Sequence, residues 1–97
     1  MKELLGGLTA AFFDAQGVPF PLTLRSPLPG DRFRPWGMRG TRKLSELLID
    51  RKVPMHLRRG IPVLMKGRRI LWVPGVGRSN DAPVTAQTKR VLKVELI

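Results

Sequence analysis

Short runs of apolar residues, separated by turn signals, dominate this chain, and such spacing predicts β-strands more than long helices. The first run covers residues 8–13 and ends at DAQG, residues 14–17, where the glycine can adopt the positive φ of a turn. A second run, residues 18–25, contains two prolines that cannot donate to a strand ladder. The pattern therefore predicts a β-hairpin over residues 8–25, with the prolines at a sheet edge or a bulge.

The middle of the chain changes to a helical pattern. Prolines and glycines between residues 27 and 37 predict a loop with fixed bends. Thr41 is placed to cap a helix that runs to about Lys52. The apolar face of this helix is formed by residues spaced three and four apart, namely Leu44, Leu47, Leu48 and the aliphatic stem of Arg51. Pro54 ends the helix and begins a second short one, which Gly60 closes.

The C-terminal half returns to strands. Residues 61–65 and 69–73 are apolar runs on either side of Lys-Gly-Arg, which predicts a second hairpin. Residues 74–81 predict a flexible connection, and RVLKVELI, residues 90–97, predicts a last strand. We expect a single β-rich α+β domain over residues 1–97, with a helical insertion in its middle and residues 1–7 as a tail or linker remnant.

The distribution of charge along the chain indicates which class of ligand this domain binds. The 97 residues contain 18 Lys and Arg against 7 Asp and Glu, a net charge of +11. Residues 25–69 alone contain 13 basic residues and only three acidic ones. Such a field attracts nucleic acid or anionic lipid, although a merely solvated basic face would have the same composition.

Several other function classes find no support in the residues. Cys is absent, which excludes disulfides and thiolate metal sites and is typical of a cytoplasmic protein. The one histidine, His56, is interpreted as a surface or capping residue, and the three serines lack the context of a nucleophile elbow. We expect no catalytic residue, metal or cofactor in this chain. The N-terminal apolar run does not fit a signal peptide, and no segment is long enough to span a bilayer.

Basic residues near the loop and the first helix are the candidate binding site. Proline and glycine bends present guanidinium groups rigidly, and a helix start offers free N–H groups to anions. Asp31 is expected to close the Pro29-Gly30 turn or to orient Arg32 or Arg34. The candidate RNA-binding residues are Arg32, Arg34, Arg39, Arg42, Lys43, Arg58 and Arg59.

The aromatic residues decide which kind of RNA is expected. Phe33 and Trp72 are interpreted as core residues, and so is Trp36, although an exposed Trp36 could stack on a base. Without an aromatic platform, duplex or structured RNA, which is recognised through backbone and shape, is favoured over a flexible single strand.

The run PGDRFRPWGMRGTRKLSELLIDRKVPMHLRRGIPVL, followed by ILWVPG, resembles the C-terminal domain of bacterial tRNA(Ile)-lysidine synthetase. Trp36 stands where that family often has leucine, and Thr41-Arg42-Lys43 replaces Ser-Lys-Lys. The fold that the resemblance implies is a small β-sandwich of unusual topology with one or two short helices inserted. A domain of the phenylalanyl-tRNA synthetase β chain shares this fold.

The resemblance also implies a function. The family attaches lysine to the wobble cytidine of the tRNA(Ile) anticodon after ATP activates the base, and its catalytic domain carries an SGGxDS pyrophosphatase loop that this chain lacks. The resemblance therefore implies a non-catalytic tRNA-binding module that grips the acceptor end of tRNA(Ile). ATP, lysine and the chemistry then belong to the catalytic domain of the same synthetase, which is an expected partner.

Two alternatives remain open at this point. The chain could be a free-standing protein that binds another structured RNA, or a structural or dimerising domain whose charge serves solubility. A homodimer is compatible with either of them. Salt-sensitive RNA binding would exclude the purely structural alternative.

Overall fold

The structure, a computed structural model, describes residues 10–18 and 20–96. The predicted tail, residues 1–7, lies outside these residues. The strands are β1 (Ala10–Asp14), β2 (Thr23–Arg25), β3 (Arg32–Phe33), β4 (Arg42–Lys43), β5 (Val63–Lys66), β6 (Arg69–Val73), β7 (Gly77–Arg78) and β8 (Val91–Glu95). The helices are α1 (Leu44–Asp50) and two 3-10 segments, Ala15–Gly17 and Met55–Gly60. This content confirms the β-rich α+β class.

A four-stranded antiparallel sheet in the order β2-β5-β6-β7 forms the centre of the fold, and two ribbons, β1-β8 and β3-β4, complete it. The predicted hairpin over residues 61–73 is confirmed as β5-β6, and the predicted last strand as β8. β2 begins only after the prolines and is an edge strand, as those prolines require.

The predicted hairpin over residues 8–25 is wrong. β1 pairs with β8, so that Phe13 lies opposite Leu92, whereas β2 pairs with β5. The expected turn exists only as the 3-10 segment, in which the Asp14 carboxylate accepts the N–H of Gln16. A local turn signal does not select a strand's partner, and here burial of Phe13 beneath a distant strand decides the pairing.

Both faces of the central sheet are covered, which explains why β5 and β6 are continuous apolar runs. Val63 and Met65 pack on the helical side, whereas Leu64 faces the opposite cluster. The helical side buries Phe33, Leu44, Leu47, Leu48, Val53, Ile61, Val63, Met65, Ile70, Val73 and Val76. The β1-β8 side buries Ala11, Phe13, Val18, Leu64, Leu71 and Trp72.

The three leucines of the predicted buried face are buried on the first helix, but the helix has different ends. The predicted contribution of the Arg51 stem to that face is wrong, because Arg51 is exposed and follows the helix. α1 begins at Leu44 because the two residues before it pair with β3, so Thr41 does not cap it. It ends at Asp50, and Lys52 has a φ of 56°, in the left-handed region, where the chain leaves the helix. The second predicted helix is the 3-10 segment that follows Pro54.

The segment 74–81 was predicted to be flexible, and this is wrong. β7 pairs with β6 through Val73 with Gly77 and Trp72 with Arg78. Ser79 is buried, and its N–H donates to the carbonyl of Leu71 at 2.9 Å. The segment therefore adds an ordered edge to the sheet. No helix within the described part of the chain is long and apolar enough to cross a membrane.

Candidate nucleic-acid interface

The short β3-β4 ribbon sorts its side chains between the core and solvent. Arg32 lies opposite Lys43, and Phe33 lies opposite Arg42. Because directly opposite residues share a face, Arg32 and Lys43 project to the same side. Both are exposed, whereas Phe33 is buried in the helical-side core. The ribbon thus presents two predicted site residues together.

A cleft of about 190 Å³ collects four arginines beside this ribbon, and we call Arg32, Arg34, Arg68 and Arg69 the arginine cleft. The polar side chains of Thr41, Asn80 and Asp81 also line it. Arg68 lies in the turn of the β5-β6 hairpin, and Arg69 is the first residue of β6. Neither was among the predicted site residues. A basic pair beside the turn glycine was the available signal, but only the packing of β3 near β6 brings that pair to the site.

Positive charge in the cleft is only partly compensated. Arg69 pairs with the Asp81 carboxylate at 2.8 Å, and Arg32 Nε donates a long bond of 3.4 Å to the Thr41 hydroxyl. Within residues 10–18 and 20–96, Arg34 and Arg68 have no carboxylate partner. One acidic side chain therefore faces four cations, and the arrangement favours an anionic ligand.

The Asn80 side chain holds in place the loop that contains Gly37 and Met38 and follows Arg34. Its Oδ1 accepts the N–H of Gly37 at 2.9 Å, and its Nδ2 donates to the carbonyl of Met38 at 2.9 Å. We call these two bonds the Asn80 bracket. The N–H of Trp36 also donates to the carbonyl of Arg78 at 2.8 Å. The predicted rigid presentation therefore depends on a distant segment as well as on proline and glycine bends.

Arg78, which the sequence analysis did not select, is an internal cross-link. Its guanidinium lies 4.0 Å from the ring centroid of Phe13 and 4.8 Å from that of Trp36. It donates to the carbonyls of Phe12, Ser79 and Asp81. Burial lowers the pKa of Arg78, and the Asp81 charge opposes that shift. With its donors used inside the fold, Arg78 is a structural residue.

Trp36 is 55% exposed, so the prediction that it fills the core is wrong. Phe33 occupies the core position of this segment, and the Trp36 ring lies over Arg78 instead. The core interpretations of Phe33 and Trp72 are confirmed by their burial.

The other predicted site residues lie apart from the cleft. Arg42 turns to α1, where it pairs with Asp50 at 2.8 Å and with Glu46 at 3.8 Å. Arg39 is exposed in the loop. Arg58 and Arg59 line a separate groove of about 480 Å³, and Arg58 Nε donates to a backbone carbonyl at 3.1 Å.

Asp31 closes its turn, as predicted, by accepting the N–H of Leu28 at 2.7 Å. The arginine that it holds is Arg25, through two bonds of 2.8 and 2.9 Å, and not either of its predicted neighbours. Burial alone would raise the pKa of Asp31, but the bonds from Arg25 and Leu28 outweigh it and lower that pKa. The hydrogen bond to Asp31 raises the pKa of Arg25 in turn. This pair is a structural support of the turn between Leu28 and Asp31.

His56 is exposed on the second 3-10 segment, as predicted. In the described residues, no three His, Asp or Glu side chains are grouped so as to hold a metal ion. The chemistry that the cleft offers is the binding of an anion by guanidinium groups, each of which can donate two parallel hydrogen bonds to a phosphate.

The chain is similar in sequence to known proteins. The family model for the TilS substrate C-terminal domain matches residues 22–95. The tRNA(Ile)-lysidine synthase of Geobacter sulfurreducens is 42% identical over 88 residues, which are 91% of this chain and 19% of that protein. The chain therefore spans about a fifth of the length of that curated relative.

Two solved structures share the fold. A crystal structure of the TILS C-terminal domain superposes with a TM-score of 0.76 at 34% identity, over 91% of this chain and 69% of that one. An N-terminal fragment of the phenylalanyl-tRNA synthetase β-subunit from Pyrococcus horikoshii gives a TM-score of 0.71 at 23% identity, over 87% of this chain and 26% of the fragment. The second likeness concerns the fold alone. From the family match, the sequence identity and the superposition together, the chain belongs to the family of TilS substrate C-terminal domains.

Proposed function

We propose that this domain is the tRNA-binding module of a tRNA(Ile)-lysidine synthase and that it acts in the cytoplasm. In this proposal the domain grips the acceptor end of tRNA(Ile), and the catalytic domain of the same synthase attaches lysine to the wobble cytidine. Membership of the family supports the assignment to such a synthase. Because the chain spans about a fifth of its relative, ATP and lysine would bind in the remaining part of the protein.

The observation that carries the RNA-binding role is the arginine cleft. Three chain segments converge there and bring four arginines into one depression. Among the residues that the structure describes, Asp81 supplies its one carboxylate. Grouped like charges destabilise a folded domain unless an anion neutralises them. A phosphate backbone supplies such anions at regular spacing, and guanidinium forks match their geometry.

The placement of these arginines also favours a helical RNA stem. The arginines lie on or beside β3, in the β5-β6 turn and at the start of β6, so they present charge along a surface. Structured RNA is recognised mainly through its backbone and shape. The acceptor stem of a tRNA meets that description.

Salt-dependent binding tests the proposal. Four cations on this face have no carboxylate partner among the described residues, namely Arg32, Arg34, Lys43 and Arg68. If each neutralises one phosphate, the slope of log Kobs against log salt is about −3 to −4 for tRNA. The double variant Arg32→Ala/Arg34→Ala should flatten the slope by about 1.5 to 2 units and leave the fold intact.

The matched control removes the same charge elsewhere. Lys89 and Arg90 are exposed and do not line the cleft. Lys89→Ala/Arg90→Ala should therefore change the slope by less than half as much. Equal slopes for the two double variants would show that only net charge matters and would reject the cleft. Equal affinity for tRNA(Ile) and for an unrelated duplex of the same length would instead favour a free-standing binder of structured RNA.

A further inference from the structure

A second depression adjoins the arginine cleft across one seam of the structure. It has a volume of about 530 Å³, and we call it the Trp36 hollow; Phe12, Trp36, Arg51, Trp72 and Val76 line it. The seam is the bridge between Pro35 and Ser79. Arg34 lines the cleft on one side of it, and the next two residues line the hollow on the other. A ligand that lies along residues 34–36 of this protein therefore contacts both depressions.

The hollow exposes two large aromatic side chains. Trp36 is 55% exposed and Phe12 is 50% exposed. Single exposed apolar residues are ordinary, but two aromatics in one concave site mark a binding surface. The volume also falls within the roughly 300–1,000 Å³ of pockets that take small-molecule groups.

Trp36 is held in place before any ligand binds. Its backbone N–H donates to the backbone carbonyl of Arg78. The Asn80 bracket fixes the next two residues, Gly37 and Met38. The Arg78 guanidinium lies 4.8 Å from the indole centroid and supports the ring. A ligand that stacks on this ring therefore meets a preorganised surface, and little ordering free energy is lost on binding.

The charges around the hollow define the ligand. Arg51 and Arg78 line it. Lys93 Nζ lies 5.8 Å from the Phe12 centroid and pairs with the Glu95 carboxylate at 3.6 Å. Among residues 10–18 and 20–96, no Asp or Glu lines the hollow. A site with an aromatic floor and a cationic rim fits a ligand with a flat π-face and a negative backbone. An unpaired nucleotide has both features, whereas an apolar peptide or lipid tail carries no negative charge to pair with the cations.

We infer that the Trp36 hollow receives one unpaired nucleobase of the bound RNA, stacked on Trp36, while the adjoining phosphates lie in the arginine cleft. The inference rests on the proposed function and extends it. The domain then recognises a junction between a helical stem and a single strand. The stem contacts the cleft, and the first unpaired base enters the hollow.

Two RNA probes separate the two contacts. The full chain is titrated with a blunt RNA duplex and with the same duplex extended by four unpaired nucleotides. The unmodified protein should bind the extended duplex more tightly, and Trp36→Ala should weaken that complex by roughly tenfold. Trp36→Phe should retain most of the affinity because it keeps a π-face. The matched control is Phe20→Ala, since Phe20 is 70% exposed but lies outside the hollow.

A spectroscopic readout reports stacking directly. A 2-aminopurine at the first unpaired position should lose fluorescence on binding the unmodified chain and keep it with Trp36→Ala. The salt slope of Trp36→Ala should equal that of the unmodified chain, because no charge is removed. Thermal unfolding of each variant confirms that the fold is retained.

The outcomes distinguish the two proposals. If the unmodified chain binds both duplexes equally and Trp36→Ala changes neither, the nucleobase inference is overturned, and RNA binding by the cleft stands. If neither duplex is bound with salt-sensitive affinity, both proposals fail. If Trp36→Ala abolishes self-association in sedimentation and leaves RNA binding unchanged, the hollow is an interface with a second copy of the chain, and the inference is overturned.

Discussion

Removal of the Asn80 side chain separates the order of the binding loop from its charge. Asn80→Ala deletes two hydrogen bonds, each 2.9 Å long, to the N–H of Gly37 and the carbonyl of Met38. A hydrogen bond contributes about 0.5–1.5 kcal/mol net, and the freed loop groups can bond to water. We therefore expect the free energy of unfolding to fall by about 1–2 kcal/mol, with a Tm lower by about 4–8 °C for each kcal/mol.

RNA affinity should fall as well, although no charge is lost. A loosened loop must be ordered again on binding, at a cost of about 0.5–1.5 kcal/mol for each immobilised side chain, or about a twofold to tenfold loss of affinity. Urea denaturation followed by circular dichroism measures the stability, and titration with tRNA measures the affinity. The salt slope should be unchanged, because every cation of the cleft remains.

Two further variants sharpen this prediction. Asn80→Asp keeps an acceptor for Gly37 but loses the donor to Met38 and adds a negative charge to the cleft lining, so it should bind RNA more weakly than Asn80→Ala. Gln87→Ala removes an exposed amide outside the cleft and should change neither quantity. A loss of less than about 0.5 kcal/mol in Asn80→Ala would refute the idea that the bracket orders the loop.

Two other perturbations test the supports of the fold. A Cβ at Gly17 would lie 2.7 Å from the Cβ of Ala82, so Gly17→Ala should destabilise the domain by about 1–3 kcal/mol in urea denaturation. Ala82→Gly should restore stability, since it removes the contact and relieves a φ of 48°; no rescue would mean that the contact is not the cause. The lowered pKa of Asp31 adds stability that is fully present above its ordinary pKa of about 4 and is lost as pH falls through the lower folded value. Stability measured between pH 5 and 2 should therefore fall less in Asp31→Asn than in the unmodified chain, and parallel curves would contradict the assignment.

Local sequence pattern predicted those elements whose partners are close in the chain. The β5-β6 hairpin has a turn glycine between two apolar runs, and the buried leucines of α1 recur at helical spacing. The resemblance predicted the family and the fold that it shares with a synthetase β-subunit fragment. In each case the signal and the structure that it specifies occupy the same stretch of residues.

The pattern failed where distant segments decide the outcome. Thr41 looks like a helix cap until β4 pairs with β3, and Phe13 looks like half of a local hairpin until β8 covers it. The same reason applies to the site. Arg32 and Arg34 could be selected from their loop, but Arg68 and Arg69 join them only through the tertiary fold. Arg42 has the same composition signal as its neighbours, and its pairing with Asp50 depends on where α1 lies.

The pairing of β1 with β8 has a consequence for biosynthesis. Ala10 aligns with Glu95, so β1, the first of the described strands to be synthesised, cannot pair until β8, the last of them, has been made. Until Val91–Glu95 has left the ribosome, Phe13 and Leu71 have no cover from that side. Contacts between such distant segments form slowly because a large loop must close first. We therefore expect the nascent domain to acquire its native structure only after β8 has left the ribosome, and to need protection from aggregation until then.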